Sequence, residues 1–294
     1  MSVGGVGWIG FQADGLSYQK RWVRFSMRRD LRGWRVLLTG ASQGIGEALA
    51  VELGRAGARL ALTSRSPGKI ASVAEAVNAV GGEAYPLVAD LTCDEERRTA
   101  LHAANDRLGG LDGIINNAGL GSWNHFADGT EEGFREMMDI NFFAPAELMR
   151  EGIPLLRLGR QPAILNIASR CGRCALPSWT EYSASKSALV GLTESLRAEY
   201  ARFGIDVLLA LPGKTATDFL KNCRLATGKA KLNFEEGMAP ERVAKALLSS
   251  LIHNRRESWI GGDSYWMLML QRFWPGLIRR KLAARVRELY QPAA

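Results

Sequence analysis

Four cysteines and three histidines are all that 294 residues offer of the usual soft metal ligands. Cys93, Cys171, Cys174 and Cys223 are too few and too scattered for a disulfide framework, which suits a reducing compartment and a cytoplasmic enzyme. Cys171-Gly172-Arg173-Cys174 spells a C-x-x-C, but zinc needs two more ligands. Neither Cys93, Cys223 nor His102, His125 and His253 stand at ligand spacing, so no metal is expected. The pair also lacks the thioredoxin-like helix start of a redox dithiol and reads as part of a substrate loop. No run of 18 or more uninterrupted apolar residues occurs, so no spanning helix is expected. Residues 1–15 are apolar and glycine-rich without a leading basic region or cleavage site, and no signal peptide is expected. Residues 1–26 read as an unstructured extension, with Met27 an alternative start.

Acidic residues are scarce only at the two ends. The formal charge is +8, yet residues 1–35 carry +5, residues 255–294 carry +5, and the 219 residues between sum to −2. A nucleic-acid partner requires a basic face organised on the fold, so none is expected. Attraction of the ends to anionic lipid stays open beside a plain solubility role.

Apolar content of 47% and charged content of 23% are globular values. From residue 35, short apolar runs alternate with longer amphipathic segments, the pattern of βαβ units around a parallel sheet buried on both faces. Strands are expected at 35–39, 59–63, 83–88, 111–115, 163–168, 205–211 and 258–260. Helices are expected at 44–56, 69–80, 94–108 (behind Thr92 as N-cap), 131–140, 144–158, 180–203 and 240–253. The fold class is therefore α/β: a Rossmann-type doubly wound parallel sheet of about seven strands, with helices on both faces. One domain over 27–262 is expected, followed by an apolar and basic helical extension over 263–294.

The first strand runs into Thr39-Gly40-Ala41-Ser42-Gln43-Gly44-Ile45-Gly46. Glycines there let the backbone approach a ligand closely, and the helix that follows aims unpaired N–H groups and its positive dipole end at the turn. A strand, a glycine-rich turn and a helix in this order make a diphosphate site. An acidic residue after the second strand would bond the ribose hydroxyls and repel a 2′-phosphate. This chain has Ser64 and Arg65 instead, a hydroxyl and a guanidinium suited to phosphate. NADP(H) is the expected cofactor, with NAD(H) the alternative.

Tyr182 precedes Lys186 by four residues, which puts both on one helix face. A Tyr-x-x-x-Lys alone arises by chance in roughly one chain of this size in five, so its surroundings decide. A phenol titrates near 10, and a neighbouring ammonium is expected to lower that value toward working pH. Tyr182 would then exchange a proton with a carbonyl or hydroxyl oxygen, while Ser169 at the end of the fifth strand donates a hydrogen bond to that oxygen.

Residues 39–46, Asn116-Asn117-Ala118-Gly119, Asn141, Ser169 and Tyr182-x-x-x-Lys186 together resemble the NAD(P)-dependent short-chain dehydrogenase/reductase family, in its order and at its spacings, over about residues 33–262. The resemblance implies that Gly40, Ser42, Gln43, Gly44, Ile45 and Gly46 hold the diphosphate and that Ser64 and Arg65 face the ribose. It places Asp90 and Leu91 beside the adenine, with Asn117, Ala118 and Gly119 along the cofactor. Pro212, Gly213, Thr215 and Thr217 match the stretch that holds the carboxamide, although Thr215 replaces a usual aliphatic residue and Lys214 is an unusual charge there. Tyr182 and Lys186 would contact the nicotinamide ribose, and Asn141 would hold a water that carries protons onward from Lys186. A small-molecule ketone or alcohol is the implied substrate, and a homodimer or homotetramer the implied assembly.

The loop after Gly119, the 171–179 segment and the 216–238 segment are expected to shape the substrate pocket. In that loop Trp123 and His125 are candidates to touch substrate, and a solvated loop histidine is an equal reading. Tyr265-Trp266-Met267-Leu268-Met269-Leu270, Phe273-Trp274-Pro275 and Arg279-Arg280-Lys281 set apolar and aromatic residues beside a basic cluster. Three uses stay open: a subunit contact, a cover for the pocket, or a peripheral membrane surface. Each suits an apolar substrate better than a sugar. A non-catalytic cofactor-binding protein is the competing function class; the complete Ser169, Tyr182, Lys186 and Asn141 set argues against it.

Overall fold

A computed structural model describes residues 28–229 and 236–290. The expectation for residues 1–26 lies outside them. Seven strands, β1 (Arg35–Thr39), β2 (Arg59–Ser64), β3 (Glu83–Val88), β4 (Gly113–Asn116), β5 (Ala163–Ile167), β6 (Asp206–Pro212) and β7 (Glu257–Ile260), form one sheet in the order β3-β2-β1-β4-β5-β6-β7, every pair parallel. Consecutive side chains of a strand point to opposite faces. In β1 this sends Val36 and Leu38 to one layer and Leu37 to the other. The first layer is closed by α1 (Gly44–Arg55), α2 (Pro67–Ala79) and α7 (Pro240–Ile252), through Leu49, Leu53, Ile70, Val77 and Leu247. The second is closed by α3 (Asp94–Leu108), α5 (Ala144–Leu156) and α6 (Thr180–Ala201), through Leu101, Leu148, Met149, Leu189 and Tyr200. The doubly wound sheet is the architecture expected from the sequence.

Strand order reverses between β1 and β4, so the connections after them leave in opposite directions and open a crevice at their carboxyl ends. The short α4 (Glu131–Met138) passes into five residues of π-helix, Asp139–Phe143, before α5. The expected N-cap Thr92 is displaced. Cys93 caps α3 without a side-chain bond, because the Thr92 hydroxyl donates to Asp90 at 2.7 Å. Just ahead of β1, the buried Arg29 guanidinium ties the chain to the domain, donating to the Leu251 carbonyl at 2.5 Å and pairing with Asp206 at 2.8 Å.

Beyond β7 the chain forms α8 (Gly262–Phe273), packed on β7, and α9 (Pro275–Tyr290), packed on α8. Among the described residues no helix is long and apolar enough to cross a membrane.

Candidate active site

The turn after β1 is shaped by two close approaches. Gly40 has φ +62°, and a Cβ on it would lie 2.6 Å from the Ala118 backbone; a Cβ on Gly46 would lie 2.2 Å from the Gly40 carbonyl. Thr39 and Asn117 lock the turn to β4. The Thr39 hydroxyl accepts from the N–H groups of Asn117 and Ala118, both at 3.0 Å, and the Asn117 amide donates to the carbonyls of Thr39 and Gly40 at 3.0 and 2.8 Å. Gln43 starts α1 in extended conformation with no side-chain cap bond, which leaves the first N–H groups and the positive dipole end facing the crevice.

Above the carboxyl edge lies an open cleft of about 1640 Å³. Every residue expected to contact a dinucleotide lines it, from Gly40 to Gly46, through Ser64, Arg65, Asp90, Leu91, Asn117, Ala118 and Gly119, to Pro212, Gly213, Thr215 and Thr217. At one end Arg65 faces Asp90 at 3.8 Å. Burial raises the Asp90 carboxyl, but bonds from the Thr92 hydroxyl and N–H and the Arg65 charge outweigh it and hold it below the usual carboxylate range. Lys69, in the first turn of α2, was not singled out in the sequence; its ammonium lines the same end and donates to Gln43 Oε1 at 3.4 Å. Its only sequence signal is a basic residue just after Ser64-Arg65-Ser66. At the other end Thr217 overlies the glycine turn, so a Cβ on Gly44 would meet its methyl at 3.1 Å. Uncapped N–H groups, a glycine floor and two cations together fit a phosphate-bearing dinucleotide.

Ser169, Tyr182 and Lys186 converge on the middle of the cleft. Ser169 stands two residues past β5, capping the turn Arg170–Gly172, and accepts from the Cys171 N–H at 3.1 Å. One turn of α6 separates Tyr182 from Lys186, whose ammonium lies 5.9 Å from the phenol ring centroid and donates to the Ile167 carbonyl at 3.3 Å. Burial pushes the Tyr182 phenol well above its ordinary value, with the Cys171 thiol adding to the rise and a Ser169 hydrogen bond opposing it. This reverses the lowering expected from Lys186, because desolvation of a phenolate outweighs a cation that far from the ring. Burial also lowers the Lys186 ammonium to about 8.

Asn141 does not reach the cleft surface. The π-helical turn swings its fully buried amide beneath the floor, where Oδ1 accepts from the Leu120 N–H and Nδ2 donates to the Leu120 carbonyl and Ser185 Oγ, each at 2.9 Å. It thereby braces the residue next to Gly119, on which a Cβ would sit 2.9 Å from Asn141 Oδ1 and 3.3 Å from Lys186 Nζ.

The apolar wall comes from Leu120, Cys171, Leu176, Trp179, Phe219 and Leu220. Trp179 stacks on Phe219 with centroids 6.2 Å apart, and Tyr182 lies 5.5 Å from each ring. Neither loop candidate for substrate contact lines the cleft. Trp123 is buried as the seat of the 219–229 segment: its N–H donates to the Leu225 carbonyl at 2.8 Å and its indole lies under Gly228. His125 is exposed and accepts from the Ala127 N–H. All four cysteines are free thiols, and among the described residues no group of three or more His, Cys, Asp or Glu side chains is placed to hold a metal ion.

Residues 35–227 match the family model described as short chain dehydrogenase. A protein described as an uncharacterized oxidoreductase from Thermotoga maritima is 33% identical over 207 residues, covering 70% of this chain and 80% of that protein. A 3-ketodihydrosphingosine reductase from Bos taurus is 28% identical over 248 residues, covering 82% and 75%. A short chain dehydrogenase from Burkholderia cenocepacia, solved in complex with NADP, superposes with a TM-score of 0.72 at 27% identity, covering 86% of this chain and 99% of that one. The motifs first read from the sequence, the sheet that carries them and these relatives agree: the chain belongs to the short-chain dehydrogenase/reductase family, whose members interconvert alcohols and carbonyls with NAD(P).

Proposed function

We propose that the protein is an NADP(H)-dependent oxidoreductase that interconverts a ketone or aldehyde and an alcohol on a hydrophobic small molecule. The observation that carries this is the convergence of Ser169, Tyr182 and Lys186 between a dinucleotide-shaped cleft and an apolar wall. A bound nicotinamide supplies or accepts the hydride. Tyr182 keeps its proton at neutral pH and gives it to the carbonyl oxygen as negative charge develops there. Ser169 donates a second hydrogen bond to that oxygen, and both donors are held in place before substrate arrives. Lys186 holds the ribose side of the cleft and relays the replacement proton to Tyr182, while Asn141 keeps the Leu120 backbone and the cleft floor in position.

Arg65 and Lys69 support a 2′-phosphate at the ribose end, where no carboxylate follows β2. Leu176, Trp179, Phe219 and Leu220 support an apolar substrate, as does likeness to a reductase named for a long-chain ketone. The test is oxidation of NADPH and of NADH against a panel of apolar and sugar-like ketones, with Tyr182→Phe beside the wild type. The expected outcome is NADPH-selective turnover of apolar ketones that falls by about 10²- to 10⁴-fold in the variant with NADPH affinity kept. Equal turnover by the variant overturns the assignment of Tyr182.

A further inference from the structure

Ten large apolar side chains are exposed among the described residues, and six of them fall in thirteen consecutive positions: Tyr265, Trp266, Leu270, Phe273, Trp274 and Leu277. Trp266, Leu270 and Phe273 recur at helical spacing along α8, so they make one stripe, which Trp274 and Leu277 continue across the junction with α9. No described residue of α8 or α9 lines the cleft, whose last lining residue in chain order is Glu241. On α9 the half-buried Ile278, Leu282, Val286 and Leu289 share one face, and exposed Arg279, Arg280, Lys281 and Arg287 occupy the rest of its circumference. Residues 265–290 hold six Lys and Arg against the single acid Glu288.

A second copy of this chain pressed onto the stripe would bring its own net +5 against the same charge. An anionic surface would be attracted instead, at a site where Trp, Tyr and Phe favour the boundary between headgroup and acyl chain. Spanning is excluded by length: α8 has 12 residues, about 18 Å of helix, against a hydrocarbon thickness of about 30 Å. The pair also leaves the sheet where the cleft opens. It begins directly after Ile260, whose carbonyl accepts from the Gly213 N–H at 2.8 Å, and Gly213 lines the cleft.

We propose that α8 and α9 dock the protein in plane on an anionic lipid membrane, with Trp266, Phe273 and Trp274 in the interface and Arg279, Arg280 and Lys281 on the headgroups. The inference stands apart from which carbonyl compound is turned over. The test is sedimentation of the full chain with vesicles of phosphatidylcholine alone and of phosphatidylcholine mixed with phosphatidylglycerol. The wild type is expected to pellet with the mixed vesicles and to be released in part by salt. Arg279→Gln/Arg280→Gln/Lys281→Gln is expected to weaken that partition on the order of a hundredfold without changing the melting temperature. Trp266→Gln/Phe273→Gln/Trp274→Gln is expected to abolish the part that survives salt. Wild-type protein left in the supernatant of mixed vesicles overturns the proposal, as does a charge variant that binds like the wild type. An aromatic variant that changes the oligomeric state by light scattering, with no vesicle binding by the wild type, reassigns the stripe to a subunit contact.

Discussion

Lys186 points its ammonium at the Ile167 carbonyl, 3.3 Å away, while standing 5.9 Å from the centroid of the Tyr182 ring one helical turn earlier. The spacing that aligns the two groups also buries both. Burial moves them in opposite directions, raising the phenol and lowering the ammonium. A phenol that stays protonated at neutral pH is in the form that can donate a hydrogen bond or a proton into the cleft.

Lys186→Met isolates the cost of that burial. In the unfolded chain the amine holds its proton to about 10.5, and in the folded protein only to about 8. Between those values the unfolded state binds more protons, so stability from this group rises with pH across the window. The difference between wild type and variant in urea unfolding is expected to shift in favour of the wild type from pH 8 to 10 by about 2 kcal/mol. Tyr182, whose unfolded phenol begins to ionise at about pH 9, opposes this in each protein alone but is common to both and drops out of the difference. A difference that stays flat over the window contradicts the burial argument.

Gly119→Ala places a Cβ 2.9 Å from Asn141 Oδ1 and 3.3 Å from Lys186 Nζ. Asn141 has little room to yield, because three hydrogen bonds hold it. We expect kcat to fall on the order of a hundredfold from displacement of the proton-relay groups, with the melting temperature nearly unchanged. Steady-state kinetics beside thermal unfolding checks both.

Arg65→Gln removes a charge from the ribose end without touching the glycine turn. Loss of a charge-assisted bond costs about 1.5–3 kcal/mol, roughly ten- to a hundredfold in affinity for NADPH. Affinity for NADH is expected to hold. Fluorescence titration of each cofactor measures the ratio, and equal losses for both would sink the 2′-phosphate assignment.

Gly228→Ala tests the seat of the 219–229 segment, since a Cβ there would lie 2.3 Å from the Trp123 ring. The rigid indole forces the segment to lift, carrying Phe219 and Leu220 with it. KM for an apolar ketone is expected to rise about tenfold while cofactor affinity stays constant. Kinetics with one ketone and a cofactor titration separate the two effects.

The seven strands and the glycine turn could be read from residue order because their signals are local. Parallel strands buried on both faces must be runs such as Val36-Leu37-Leu38, and a turn needing positive φ must carry Gly40. Spacing along one helix likewise announced Tyr182 and Lys186. Lys69 escaped notice because its link to Gln43 joins two elements 26 residues apart. Trp123 shows the same limit: beside the motif a loop aromatic is only a candidate for substrate contact, and the segment around Gly228, distant in sequence, is what covers it.

Residue order by itself thus determined the sheet, the glycine turn and the alignment of Tyr182 with Lys186 on one helix face, all written in patterns a few residues long. Only the tertiary structure decided how those groups titrate, where Asn141 sits, and that no described residue of α8 or α9 lines the cleft. Each of those depends on what distant segments exclude from water or leave facing it. Desolvation is a property of the packed surroundings, and no spacing along the chain encodes it.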